Sequence, residues 1–159
     1  MSDETRRAAN EFFEAFGRRD VDALMQIVSE DIVEDLPGVG IVSGLEEERA
    51  FLTGLFGAFP DLTTEVTRIT IDGRVAAIEW KRWGTFTGVP WQGLPASGRA
   101  FESTGATFVE VDDGTVTKVT VYSDSAQVAR GIGVLPAEGS AGERLARALY
   151  GLHVRLGRG

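Results

Sequence analysis

The sequence predicts an α+β domain in which N-terminal helices cover one face of a curved antiparallel sheet and close a cone. Three observations carry this. Apolar residues recur at three-to-four-residue spacing up to Pro60, they alternate with polar residues in Thr- and Val-rich segments beyond it, and Asp72-Gly73 and Asp113-Gly114 are hairpin turn signals.

A first helix is expected over 4–16, where Ala9, Phe12, Phe13 and Phe16 form one stripe, with Asp3 as N-cap and Gly17 as stop. A shorter second helix follows Asp20 and turns Leu24, Ile27 and Val28 inward. The third begins at Ser43, where Ser43 and Glu46 have capping-box spacing, and buries Leu45, Leu52, Phe56 and Phe59. Pro60 ends it, having no N–H to continue the helical ladder. Four strands are expected near 62–71, 75–87, 99–111 and 115–122. Apolar parity changes between Val66 and Ile69, as one inserted residue would cause, so a bulge is expected to bend the first of these. The tail from about 141 to 156 reads as an amphipathic helix, with Leu145, Leu149, Leu152 and Leu156 on one stripe and Arg144, Arg147, Arg155 and Arg158 beside it. The core domain is therefore drawn at 1–135 and a helical extension at 136–159.

The chain has 159 residues, 43% of them hydrophobic, which suits one domain with a real core. Its net charge of −8 repels polyanions, so nucleic acid is not an expected partner. Without cysteine there is no disulfide, thiolate metal site or Cys nucleophile. His153 is the single histidine, so no His dyad or multi-His metal site can be built in one chain. The Gly residues follow no phosphate-loop or dinucleotide pattern. Neither a metal nor a cofactor is expected. The charged N-terminus and the absence of an apolar run of roughly 20 residues point to a cytoplasmic protein without membrane contact.

Several short motifs occur in order: Ala58-Phe59-Pro60-Asp61-Leu62, a strand ending Glu79-Trp80, Gly84-Thr85-Phe86-Thr87-Gly88, Leu94-Pro95-Ala96-Ser97-Gly98-Arg99 and Val111-Asp112-Asp113-Gly114. In this spacing they resemble the SnoaL-like polyketide cyclases, also called ester cyclases, of the NTF2-like superfamily, over roughly 5–135. The resemblance implies a cone-shaped α+β barrel, a homodimer, and a pocket for cofactor-independent acid/base chemistry. It also exposes departures. Where the cyclases carry His-Trp-Asp on the last strand this chain has Val119, Thr120 and Val121, and Phe86 stands where a His is common. Of the Tyr-Phe-Asp element of the related limonene epoxide hydrolases, Tyr122 and Asp124 remain.

Even positions Ile78, Trp80, Arg82 and Phe86 share one strand face, opposite Glu79, Lys81 and Trp83, and that even face is expected to look into the cone. Arg82 then needs a carboxylate partner or an anionic ligand, or else it snorkels to water at the strand end. Asp35, ahead of Pro37-Gly38, is the first candidate to pair with Arg82 or to act as a base, with turn capping as its alternative. Asp124 is the second candidate, with helix N-capping as the alternative. Tyr122 offers a phenol to a ligand oxygen, or packing alone. Trp80, Phe86 and Trp91 are expected as pocket walls with Val119 and Val121, and Thr107 as a neutral hydrogen-bonding group. Glu102 joins them if it faces inward and is a solvated cross-strand partner if it does not. The run Glu46-Glu47-Glu48 reads as a solvated helix start favoured by the helix dipole.

The function expected from these readings is a cofactor-independent cyclase or isomerase that moves a proton on a bulky, apolar polyketide- or terpenoid-like metabolite. Epoxide opening, and non-catalytic binding of a small molecule or protein, are the alternatives. A homodimer is expected through the outer sheet face, where Trp83 would otherwise meet water.

Overall fold

The computed structural model describes residues 2–156 and has the order α1 (Ser2–Gly17), α2 (Val21–Ile27), β1 (Val28–Leu36), β2 (Gly40–Ser43), α3 (Gly44–Ala58), β3 (Thr63–Asp72), β4 (Val75–Thr85), β5 (Ala100–Asp112), β6 (Thr115–Ser123), α4 (Ser125–Gly131) and α5 (Ala141–Leu156). The six strands form one sheet in the order β2-β1-β6-β5-β4-β3. β3 to β6 are the expected antiparallel meander. β1 pairs in parallel with β6 and antiparallel with β2, so the sheet is mixed.

The local signals explain most of these boundaries. Asp20 caps α2 by accepting from the Ala23 N–H at 3.0 Å. Asp113 and Gly114 both take positive φ (46° and 76°), as a two-residue hairpin turn matching the sheet twist requires. The β3–β4 register slips between Val66 and Arg68, the bulge that the parity change predicts, and the Thr67 hydroxyl donates to the Glu79 carbonyl across it.

Other expectations need correction. Asp3 lies within α1 rather than capping it. Val28 starts β1 instead of ending α2. At α3 the Ser43 side chain caps nothing, and the Ser43 N–H donates to Glu47 Oε2 at 2.9 Å, so Glu47 takes the place expected of Glu46. β1 and β2 were hidden because Glu30, Asp31, Glu34 and Asp35 break the apolar alternation of that segment.

α1 and α3 lie on the concave face of the sheet, and the core forms between them. Phe12 and Phe16 of α1, Leu24 of α2, Leu52 of α3 and Ile78 and Trp80 of β4 are buried in one apolar cluster. Burying each such side chain contributes about 1.5–3 kcal/mol. The segment 86–98 crosses the mouth of the cone, anchored by the Gly88 and Val89 N–H groups donating to the Ala58 and Gly57 carbonyls. Trp91 lies against Phe51 with ring centroids 5.3 Å apart.

α5 spans the helix expected of the tail, with Leu145 and Leu149 exposed. The side chains of Leu152, Arg155, Leu156 and Arg158, also assigned to its faces, lie outside the described residues. No described helix is long and apolar enough to cross a membrane.

Candidate functional site

The cone encloses a cavity of about 330 Å³. Its aromatic wall comes from Phe12, Phe13 and Phe16 on α1, Phe59 after α3, Trp80 on β4 and Trp91 on the crossing segment. The spacing of α1 put the first three on one face, and the strand period put Trp80 opposite them. Val119 and Val121 of β6 line it as well. Val121 presents only methyl groups there.

Trp80 is oriented by a hydrogen bond from its indole N–H to Thr107 Oγ1 at 2.9 Å, which satisfies two polar groups inside the wall. Its ring also rests on Gly105, where a Cβ would run into that ring and the Tyr122 carbonyl oxygen. Gly105→Ala is therefore expected to lower stability by about 1–3 kcal/mol through overpacking, measured as a lower urea midpoint together with altered tryptophan fluorescence. An unchanged midpoint would show that the sheet yields at this point.

Arg82 faces the cavity, as the strand parity predicts. Its guanidinium lies 4.6 Å from the Phe16 ring centroid and 4.3 Å from that of Trp80. Its Nε donates to Thr64 Oγ1 at 3.0 Å. Burial brings its pKa down to about 10, opposed by the charge of Glu34.

The expected Asp35–Arg82 ion pair is not formed. Asp35 alternates with Glu34 along β1, and Glu34, not Asp35, lines the cavity. Glu34 is only 6% exposed, and beside it lies Glu48 of α3, fully buried. Glu48 is therefore not part of a solvated helix start, because α3 turns it onto β1 with Leu52.

Two carboxyls in this setting cannot both ionise cheaply. Burial holds the Glu34 proton well above the ordinary carboxylate range, helped by the Glu48 charge and by a hydrogen bond between the two groups, with Arg82 opposing. Glu48 is raised as well, by burial, while its hydrogen bond with Glu34 pulls the other way. With both ionised, Glu34 Oε2 and both Glu48 oxygens have no hydrogen-bond donor. A single proton shared between them would supply the donor that this pair lacks.

The remaining sequence candidates lie apart from this pair. Phe86 is buried but stacks on Phe59, 5.1 Å away, behind the wall rather than in it. Glu102 is exposed, opposite Trp83 in the β4–β5 register. Tyr122 is 53% exposed on the outer sheet face, edge-on to Phe108. Asp124 caps α4 by accepting from the Gln127 N–H at 2.9 Å. Trp91, Thr107, Val119 and Val121 do line the cavity. Glu34 and Glu48 were passed over, although both stand in apolar patterns: Ile32-Glu34-Leu36 on alternate strand positions, and Glu48 between Leu45 and Leu52 on the α3 stripe.

A helix-covered curved sheet around an apolar cavity, with few polar groups at its wall, is the NTF2-like fold. The chain belongs to the SnoaL-like domain family, whose profile matches residues 9–119. No curated protein matches it significantly. Among solved structures it is similar to a protein of Jannaschia sp. CCS1 assigned as a SnoaL-like polyketide cyclase, with 22% identity, TM-score 0.77 and coverage of 85% of this chain and 95% of that one. IdmH of Streptomyces antibioticus, assigned as a polyketide cyclase, has 25% identity and TM-score 0.69 over 81% of this chain and 98% of its own. An LEH-like epoxide hydrolase of M. tuberculosis has 21% identity and TM-score 0.66, covering 82% and 90%. One fold thus carries different chemistries, and function must be argued from the site.

Proposed function

We propose that this protein is a cofactor-independent enzyme that cyclises or isomerises a bulky, apolar, polyketide- or terpenoid-like metabolite by proton transfer, in the cytoplasm. The observation that carries the reading is a cavity-facing carboxyl, Glu34, buried against a second carboxyl, Glu48, so that burial and that neighbour raise its pKa. Glu34 takes the role that the sequence suggested for Asp35. It delivers a proton to the ligand, or accepts one once ionised, and Glu48 behind it holds or returns the shared proton. Arg82 holds a ligand oxygen and stabilises negative charge on it. The aromatic wall excludes water and fits flat ring systems.

The test is proton exchange without added cofactor or metal. An enolisable polycyclic ketone incubated with the protein in deuterated water is expected to gain deuterium, and the Glu34→Gln variant to lose that activity. Ligand binding with no exchange or turnover on any such ketone would favour the non-catalytic reading.

We further propose that the protein works as a homodimer. The outer sheet face leaves Trp83, Phe108 and Tyr122 at 40%, 39% and 53% exposure, more aromatic surface than a monomer usually shows to water. Light scattering at micromolar concentration is expected to give twice the 17.1 kDa of one chain, and Trp83→Arg to reduce it. A monomeric mass would overturn this.

A further inference from the structure

We infer that the ligand of this cavity carries a carboxylate on a flat apolar body, and that the two terminal nitrogens of Arg82 receive it. The inference rests on the reading of the cavity as a substrate site but not on Glu34 as its acid.

The protein engages only part of the Arg82 guanidinium. Its Nε is occupied by Thr64. Among the described residues, no hydrogen bond or ion pair from the protein engages its terminal N–H groups, and no carboxylate reaches it at ion-pair distance. Nor are its nitrogens among the polar atoms sealed away without a partner. They open into the cavity that Arg82 lines. Phe16 and Trp80 lie against the guanidinium, and ring contacts of this kind engage its π face, whereas its N–H donors radiate in the guanidinium plane. A planar fork of donors with no protein acceptor matches the two oxygens of a carboxylate.

Charge points the same way. An unpaired guanidinium among aromatic rings is costly, and a ligand anion offsets that cost. Glu34, the carboxyl whose charge acts on Arg82, makes no ion pair with it, and burial against Glu48 raises its pKa and so weakens that charge. Among the described residues that line the cavity Arg82 is the one basic side chain, and no carboxylate is seated on it, within a protein of net charge −8. The lining by Phe12, Phe13, Phe59, Val119 and Val121 suits an apolar ligand body, and its aromatic rings suit a flat one.

The test compares 2-naphthoate with its methyl ester by isothermal titration calorimetry at neutral pH, since the two share a ring system and differ in charge. The wild-type protein is expected to bind the carboxylate at least about tenfold more tightly than the ester. Arg82→Met is expected to erase that preference by weakening the carboxylate far more than the ester. Equal or tighter binding of the ester by the wild type, binding of neither probe, or a preference that survives in Arg82→Met would each overturn the inference. If Arg82→Met does not fold, Arg82→Lys decides, because it keeps the charge without the fork and is expected to lose most of the preference. The Glu34 assignment fails separately: intact turnover in Glu34→Gln beside an intact naphthoate preference sinks the acid and leaves the carboxylate site standing.

Discussion

Glu34→Gln is expected to reduce turnover by about 10² to 10⁴, the range for loss of a general acid or base, while the folded protein and its cavity persist. Gln has nearly the shape of protonated Glu and can still hydrogen-bond to Glu48, so the change removes the transferable proton and little else. If Glu34 works as the acid, wild-type turnover is expected to fall on the alkaline side as the raised Glu34 group loses its proton. Asp35→Asn and Asp124→Asn complete the comparison. Turnover lost in either of them but kept in Glu34→Gln would return the catalytic role to the carboxylates that the sequence favoured.

Glu48→Gln is expected to stabilise the protein at alkaline pH and to flatten its stability profile. In the native state Glu34 and Glu48 both bind protons more tightly than exposed carboxyls do. Between the ordinary carboxylate pKa and the raised ones, the folded protein keeps protons that the unfolded chain has released. Stability is therefore full below the ordinary value and falls as pH rises through the raised values. Each unit of upward shift corresponds to about 1.4 kcal/mol lost by the time both groups are ionised. A Gln at position 48 removes one of the two charges and donates its amide N–H to ionised Glu34. For a chain of this size, about 1 kcal/mol moves Tm by roughly 2–4 °C, so thermal melts from pH 5 to pH 9 are sensitive enough. A wild-type Tm that does not decline over that range, or declines equally in Glu48→Gln, would show that the pair shares no proton. The same substitution is expected to move the alkaline limb of turnover to lower pH, because the Glu48 charge helps raise Glu34.

Elements with a clean local period were legible in the sequence. α1, α3 and the four-strand meander each carry enough apolar residues on one face to declare their type, and the parity slip at Thr67 declared its bulge. The inward face of β4 followed from alternation alone, which placed Trp80 and Arg82 correctly. β1 was not legible, since its pairing with β6 is parallel and joins segments far apart in the chain. Its acidic residues read locally as a loop.

The acid pair shows why the site was harder to read than the fold. A carboxylate in a charged run is ordinarily solvated, because burying it costs several kcal/mol, and by that rule Glu48 belonged with Glu46 and Glu47. The rule assumes that the group stays ionised. Sequence spacing set Glu48 on the apolar stripe of α3 and Glu34 on the apolar parity of β1, but only the crossing of that helix over that strand brings the two together. Contact then changes the chemistry, since burial beside a second carboxyl raises the pKa of both, and a shift of this kind is a property of the pair that neither residue has alone.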